Sequence, residues 1–239
     1  MKTLFFPKPK LDPLRPFPEK LPRKNERLDI TKPVTIACAP REGESCYDIH
    51  VAESVHCVVS FEQTFSDTQF ARIRINAAVG RDASLVLRHD VRGGSRIDTE
   101  VAVELAEEGS EGLVQARVHG VDEQHHGFFS IMRHCAPNTK GDIQLRGVFE
   151  HASRGLFSGL IRIEPAADKA NSYFKDDVLL CDNALAESLP TLEIEANDVK
   201  ASHGSTTAHM NEDQLFYLQS RGLPRREARA MIIEGFLLQ

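Results

Sequence analysis

Long apolar runs are missing from this sequence of 239 residues. The chain contains no stretch of about 18 apolar residues, which is the length that crosses a membrane as a helix. The N-terminal segment 1–7 also lacks the apolar core of a signal peptide. Basic residues are also in deficit, because 35 Asp and Glu outnumber 29 Lys and Arg. A chain with a formal charge of −6 has no general attraction for phosphate backbones. We therefore expect a soluble protein that binds neither membranes nor nucleic acid.

Closely paired cysteines are missing as well. The five cysteines, at positions 38, 46, 57, 135 and 181, are odd in number, widely spread and never arranged as C-x-x-C. Such a distribution contains no preformed zinc or redox motif. It predicts a reduced chain in the cytoplasm.

Proline is abundant only at the start, where the first 33 residues hold seven of the twelve prolines. Each proline removes a backbone donor and restricts the residue before it. This pattern predicts an extended arm over residues 1–33. With Phe5, Phe6 and Phe17 along it, the arm would lie on its own domain or on a partner, and a partly ordered tail is the alternative.

Residues 34–208 read as many short strands. Apolar and polar residues alternate in segments 71–76, 84–88, 99–105 and 112–118, which predicts strands with one buried face. A two-sheet sandwich and a solenoid of stacked coils both fit this pattern. Segment 141–207 favours the solenoid, because brief apolar bursts alternate there with residues suited to sharp corners. These residues are Gly141, Gly147, Gly155, Gly159, Pro165, Asn171, Asp182 and Pro190.

Residues 209–239 carry helical patterns. Asn211 followed by Glu212, Asp213 and Gln214 is a typical N-cap with an acidic first turn, and Gly222 is placed to end that helix. A second helix begins at Pro224, with one apolar face predicted from Ala228, Met231, Ile232, Gly235 and Phe236. The final residues Leu237, Leu238 and Gln239 follow an apolar run without a cap, so we expect this helix to dock on another surface.

Two linked motifs near the C-terminus resemble the SufB/SufD family, the scaffold subunits of the SUF iron–sulfur cluster assembly system. The first motif is LEIEANDVKASHGST at positions 192–206, and the second is DQLFYLQSRGLP at positions 213–224, followed by EAR at 227–229. A weaker resemblance extends over positions 141–180, so that roughly the last hundred residues are similar to the family. The His203-Gly204 pair is closest to the SufD form.

The resemblance implies a right-handed parallel β-helix followed by a short C-terminal helical hairpin that docks on the ATPase SufC. It also implies a dimer with a SufB- or SufD-like chain, a transiently held iron–sulfur cluster, and no catalysis by the chain itself. Two positions depart from the family pattern, because Ala201 and Lys175 stand where cysteines are expected. The chain is also shorter than typical members, which leaves a compact variant that pairs with itself as an alternative.

Three residues are candidate metal ligands. His203 is the first, since iron in clusters accepts imidazole and thiolate ligands, and a histidine with a structural role in the last coil is the alternative. Cys181 and Cys135 are weaker candidates. Cys181 lies in an apolar run, which favours a buried small hydrophobe. Cys135 is near His125, His126 and His134, but without the regular spacing of a metal site, so polar residues on the solvent face of adjacent strands are favoured.

The helical hairpin is the candidate partner-binding surface. Aromatic, large apolar and arginine side chains are the usual anchors of protein interfaces. Here they are Phe216, Tyr217, Arg221, Arg225, Met231 and Phe236. The alternative is that the hairpin covers the open end of the β-helix and shields its unpaired strand edges.

Two other functions are compatible with a β-helix. A carbohydrate-active enzyme could use paired carboxylates, for which Glu193, Glu195 and Asp198 are the candidates. The absence of tryptophan and the presence of only three tyrosines argue against it, since sugar-binding grooves usually stack aromatic rings on the ligand. A purely structural module that stabilises a partner and binds no metal is the other alternative.

Overall fold

The computed structural model describes residues 23–238 of the chain, which form fourteen β-strands followed by two α-helices. In chain order these are β1 (Arg23–Ile30), β2 (Val34–Cys38), β3 (Gly43–Val51), β4 (His56–Phe65), β5 (Phe70–Val79), β6 (Ser84–Gly93), β7 (Arg96–Leu105), β8 (Glu111–Gly120), β9 (His125–His134), β10 (Lys140–Phe149), β11 (Arg154–Ile163), β12 (Asn171–Leu180), β13 (Leu185–Ile194), β14 (Lys200–His209), α1 (Glu212–Ser220) and α2 (Arg225–Leu238).

The strands form two parallel sheets. The odd sheet has the order β1-β3-β5-β7-β9-β11-β13, and the even sheet has the order β2-β4-β6-β8-β10-β12-β14. Each strand pairs with strands one coil away, so that Arg154 of β11 lies between His125 of β9 and Leu185 of β13. Antiparallel neighbours of a sandwich are not found among these pairings. The predicted parallel β-helix is therefore confirmed.

Alternating side chains fill the space between the two sheets. In β5, Ala71, Ile73 and Ile75 are buried, whereas Arg72 and Arg74 on the opposite side are partly exposed. Successive strand residues point to opposite faces, so the same alternation in each coil builds one continuous core. The largest fully buried side chains of this core are Tyr47, Phe61, Phe128, Phe149, Phe157 and Phe174.

The corners are not formed as the sequence suggested. Pro165 and Asp182 do lie in turns, but the prediction is wrong for four glycines inside β10 and β11: Gly141, Gly147, Gly155 and Gly159. Pro190 likewise lies inside β13. Most corners instead use a non-glycine residue with positive φ, and these residues are Ser54, Asp82, Asp122, Asn138, His151, Lys169 and Asp182.

Three of these glycines, Gly147, Gly155 and Gly159, make room for phenylalanine rings. A Cβ atom added to Gly159 would lie 2.0 Å from Cε2 of Phe174, and one added to Gly155 would lie 2.3 Å from Cε2 of Phe149. Such distances are far below van der Waals contact. These positions therefore need glycine because of close packing between coils.

The β-helix begins earlier than predicted. Strand β1, at Arg23–Ile30, lies within the segment 1–33 that we assigned to an extended arm, and it pairs in register with β3. Its alternation is hard to recognise because six of its eight residues are charged or polar. Residues 1–22, with Phe5, Phe6 and Phe17, lie outside the described residues, so the arm stays a prediction there. At the other end, β14 continues to His209.

The two C-terminal helices form a hairpin, α1 and α2 with the turn that joins them (residues 212–238). The side chain of Asn211 caps α1 by accepting hydrogen bonds from the backbone N–H groups of Asp213, at 2.8 Å, and Gln214, at 3.3 Å. Gly222 follows the helix with a φ of +96°, the left-handed conformation that glycine adopts readily. The predicted start of α1 at Asn211 and its predicted end at Gly222 are both confirmed.

The hairpin packs on the outer face of the even sheet. Ile233 and Leu237 of α2 form a buried cluster with Val148 of β10, Leu179 of β12 and Cys181. The buried face of α2 is therefore rotated from the predicted one, since Met231 is exposed. The outward strand residues Val148 and Leu179 provide the apolar patch that selects this face. The alternative in which the hairpin covers the open end of the β-helix is not what the structure shows.

Candidate partner and metal sites

The last coil leaves the β-helix open. Strands β13 and β14 are the final strands of their sheets among residues 23–238, and they with the turn between them (residues 185–209) are called the terminal coil. Most side chains of β14 are exposed, and so are the large apolar side chains of Leu185 and Ile194 on β13. Unpaired strand edges with exposed apolar groups are templates for pairing with another chain.

His203 lies in the middle of β14. It pairs in register with the core residue Phe174 of β12, so it belongs to the row of side chains that point into the β-helix. No further coil covers this row within the described residues, and His203 is consequently exposed. An imidazole at the mouth of the β-helix is accessible to a partner chain and to a metal-bearing ligand.

Gly204 has a packing role. A Cβ atom at this position would lie 2.7 Å from the hydroxyl oxygen of Tyr173, which is itself partly exposed on β12. The glycine next to His203 therefore lets the tyrosine side chain lie across the terminal strand.

A buried carboxylate below the terminal coil was missed by the sequence reasoning. Asp176 of β12 is fully buried, and the hydroxyl of Ser188 on β13 donates a hydrogen bond to its Oδ2. Burial raises the pKa of Asp176, while hydrogen bonds from Ser188 and Ser205 oppose that rise. Its other oxygen, Oδ1, has no hydrogen-bond partner. The alternation of β12 places position 176 inward, which is the signal that could have found it.

Cys181 is part of the hairpin contact. It is buried in the cluster with Ile233 and Leu237, and burial raises the pKa of its thiol to about 11. It follows Leu180, which pairs with His209. His209 lies six positions along β14 from His203, about 20 Å at the rise of a strand. The structure therefore does not bring Cys181 to His203.

Cys135 and the nearby histidines point in different directions. The prediction that they lie on the solvent face is wrong for His126 and His134, which are buried in the core. His134 shares a hydrogen bond of 2.8 Å with the hydroxyl of Thr139. Cys135 is half-buried in the turn after β9, and burial raises the pKa of its thiol to about 11. Among residues 23–238, no group of three or more His, Cys, Asp or Glu side chains is placed to hold a metal ion.

The hairpin keeps a free outer face. Phe216 is 72% exposed and Tyr217 is 55% exposed, and the guanidinium of Arg221 lies 5.1 Å from the centre of the Tyr217 ring. Arg225 forms an ion pair of 3.2 Å with Glu212, and Met231 is exposed on α2. Five of the six residues predicted to bind partners are thus exposed on the hairpin.

Phe236, the sixth predicted residue, has a different position. It is half-buried and packs against the cluster that joins α2 to the even sheet. Part of its surface therefore contributes to attaching the hairpin.

Two of the three candidate carboxylates of an enzyme, Glu193 and Glu195, are engaged in ion pairs, whereas Asp198 is exposed between β13 and β14. Glu193 and Glu195 each lie 3.6 Å from the guanidinium of Arg162. Both side chains are about half exposed, Glu193 on β13 and Glu195 directly after it. This arrangement is typical of a solvated surface ladder.

These features define a class of protein: a parallel β-helix with an open terminal coil and a C-terminal helical hairpin on its flank. Residues 39–236 match the family model described as "SUF system FeS cluster assembly, SufBD core domain". The chain belongs to this SufB/SufD family.

Several curated proteins are similar to the chain. The iron–sulfur cluster assembly protein SufD of Bacillus subtilis strain 168 is 32% identical over 165 residues, which cover 69% of this chain and 38% of that protein. SufBD family proteins of Mycobacterium tuberculosis strain H37Rv and Mycobacterium leprae are 34% and 33% identical over 146 residues, 60% of this chain and 17% of each protein. The chain thus spans less than half the length of these relatives.

Within residues 23–238, neither helix is long and apolar enough to cross a membrane.

Proposed function

We propose that the protein is a non-catalytic scaffold subunit in iron–sulfur cluster assembly. In this role it pairs with a SufB- or SufD-like chain and binds a SufC-type ATPase in the cytoplasm. The observation that carries the proposal is the open terminal coil, which joins two unpaired strand edges, exposed apolar side chains and His203 in one surface. Membership in the SufBD core family supports the assembly role.

Pairing is assigned to the terminal coil. A partner's coil would supply backbone hydrogen bonds to β13 and β14 and cover Leu185 and Ile194. Size-exclusion chromatography with light scattering tests this for the chain alone and for its mixture with a SufB-like chain. The double variant Leu185→Lys with Ile194→Lys should abolish the paired species, because charges would be buried in the interface. The control Met231→Lys, on the exposed face of α2, should leave pairing intact.

ATPase binding is assigned to the outer face of the hairpin, where Phe216, Tyr217 and Arg221 are exposed together. Co-purification with a SufC-type ATPase should be lost in the double variant Phe216→Ala with Tyr217→Ala, since aromatic anchors dominate interface energies. The matched control is Leu185→Ala, which truncates an exposed apolar residue of β13, outside the hairpin. Absence of co-elution for the unaltered protein, with and without nucleotide, would remove the ATPase from the proposal.

His203 is assigned to the transient iron–sulfur cluster, which is cargo of the assembly system. An exposed imidazole is a suitable iron ligand. Anaerobic reconstitution with iron and sulfide should give less cluster absorbance in His203→Ala than in the unaltered protein. His209→Ala is the matched control, since both histidines are exposed on β14. Equal absorbance in all three would favour the alternative of a structural, self-pairing module without metal.

A further inference from the structure

A network of ion pairs ties the hairpin to the β-helix. Nε of Arg229, on α2, lies 2.7 Å from Oε2 of Glu150, and its Nη1 donates a hydrogen bond of 3.1 Å to Oδ1 of Asp182. A second guanidinium nitrogen contacts Oδ2 of Asp182. Glu150 also shares a hydrogen bond of 2.8 Å with Nε2 of His119. The planar guanidinium thus bridges two carboxylates at once, a geometry that lysine cannot reproduce.

The network is partly shielded from water. The side chain of Glu150 is 11% exposed and that of Arg229 is 22% exposed. The hydrogen bond from Arg229 lowers the pKa of Asp182 to about 2. The pKa of Glu150 is also lowered, mainly by its hydrogen bond with His119 and further by Arg229. Charge-assisted bonds of this kind are stronger than the solvated surface pairs of the odd sheet.

Both carboxylates lie in turns that lead into the odd sheet. Glu150 follows β10 and precedes β11, whereas Asp182 lies between β12 and β13. Asp182 also accepts a hydrogen bond of 3.1 Å from the backbone N–H of His151, so the two turns are joined to each other. The Asp182 turn continues directly into β13, the first strand of the terminal coil. Arg229 is therefore hydrogen-bonded to the turn that directly precedes the first strand of the terminal coil.

The apolar contact of α2 has a different effect. Ile233 and Leu237 pack on Val148 and Leu179, and hydrophobic contact is non-directional. It would hold the helix against the even sheet while permitting small shifts along it. The ion pairs of Arg229 are directional, so they determine where along the sheet the helix lies.

We propose that Arg229 is the positioning residue that couples the hairpin to the terminal coil, through its bridge to Glu150 and Asp182. A partner that displaces the hairpin then pulls on the turn before β13 and alters the pairing surface. By thermodynamic linkage, pairing at the terminal coil changes the affinity of the hairpin for its partner by the same factor. The coupling deepens the proposed function, since it rests on a partner binding each of the two surfaces.

Hydrogen exchange on the isolated full-length chain tests the coupling without any partner. In Arg229→Gln, amide exchange should accelerate about tenfold or more in α2 and also in residues 181–194, because charge-assisted bonds to both turns are lost. Exchange in β5 and β7 should not change. Arg225→Gln is the matched control, since Arg225 pairs with Glu212 inside the hairpin, and it should leave residues 181–194 unchanged.

Conservative variants separate coupling from general destabilisation. Arg229→Lys can pair with one carboxylate only, so it should restore slow exchange in α2 more fully than in residues 181–194. Asp182→Asn removes one charge at a corner with φ +59° that asparagine also adopts, and it should accelerate exchange in residues 181–194. Faster exchange confined to α2 in Arg229→Gln would overturn the coupling, as would unchanged exchange everywhere.

The partner step is measured separately. Affinity for a SufC-type ATPase should depend on a SufB-like chain in the unaltered protein and lose that dependence in Arg229→Gln. If no ATPase binds the unaltered protein, the proposed function fails and the exchange results still decide whether Arg229 couples the two elements. If the ATPase binds but both proteins show equal dependence, Arg229 is not the coupling residue.

Discussion

Glycine and aromatic residues are complementary in the later coils. Gly155 and Gly159 of β11 give the rings of Phe149 and Phe174 the space that a methyl group would occupy. Such pairs let large rings fill the narrow interior between two sheets without strain. Replacement of a glycine here by a larger residue would therefore overpack the core.

The substitution Gly159→Ala should lower the free energy of unfolding by about 1–3 kcal/mol, since the new methyl group collides with Phe174. Gly235→Ala is the control, because a Cβ at that position in α2 meets nothing within 4 Å. The control should be neutral or stabilising by up to about 1 kcal/mol. Urea unfolding followed by circular dichroism measures both, and equal effects of the two changes would contradict the packing role.

Three buried histidines make the stability depend on pH. Burial lowers the pKa of His89 to about 4, of His126 to about 3 and of His134 to about 4. In the unfolded chain these groups return to about 6.5, so the unfolded state binds more protons below that value. Their contribution is therefore complete above about pH 6.5 and decreases as the pH falls.

Lowering the pH from about 7.5 to about 5.5 should cost about 1.4 kcal/mol of unfolding free energy for each of these histidines. His134→Gln should remove about a third of that combined loss, although it also changes the bond to Thr139. Urea unfolding at the two pH values measures the difference. The comparison variant is His50→Gln, which removes an exposed histidine of β3 in place of a buried one. An unchanged slope in His134→Gln would contradict the assignment.

At the scale of elements, α2 shows how the surface below a helix selects its buried face. The i, i+3, i+4 pattern indicated a face around Met231 and Gly235, whereas Ile233 and Leu237 are buried. The apolar residues of α2 occupy more than one stripe, and the patch formed by Val148 and Leu179 determines which stripe is used. Met231 is thereby left exposed.

Ile233→Ala should loosen the hairpin, because it removes about 2 kcal/mol or more of packing against the even sheet. Limited trypsin digestion measures this at the arginines of α2, where cleavage should become faster. Met231→Ala truncates an exposed side chain of the same helix and should be cleaved at the original rate. Similar rates for both variants would mean that α2 is attached mainly by other contacts.

At the scale of the whole molecule, the β-helix is a one-dimensional stack in which each coil contacts only its neighbours. Central strands such as β7 and β9 have paired strands on both sides, whereas β13 and β14 have one. Stability should therefore vary along the stack. The terminal coil, to which we assign pairing, should open most readily.

Hydrogen exchange of the isolated chain should be slowest in β7 and β9 and faster in β13 and β14, with a difference of at least about tenfold. Addition of a SufB-like chain should slow exchange in the terminal coil and leave β7 and β9 unchanged. Uniform protection across all coils of the free chain would show that the molecule unfolds as one cooperative unit.

The sequence by itself determined the features that depend on neighbouring residues. Alternation in segments such as 71–76 specified strands, Asn211 and Gly222 specified the ends of α1, and the motif around His203 specified the family. These signals are local, since strand alternation, helix caps and short motifs act within one turn or one strand.

Only the tertiary structure decided the contacts between distant positions. It placed Gly159 against Phe174, buried Asp176 beneath the terminal coil, and brought Arg229 to Glu150, 79 positions away. These contacts depend on how many residues each coil contains and on which stripe of α2 meets the even sheet. Both features depend on many residues together, so no local pattern predicts them. The contacts can be identified only when the stacking of the coils is known.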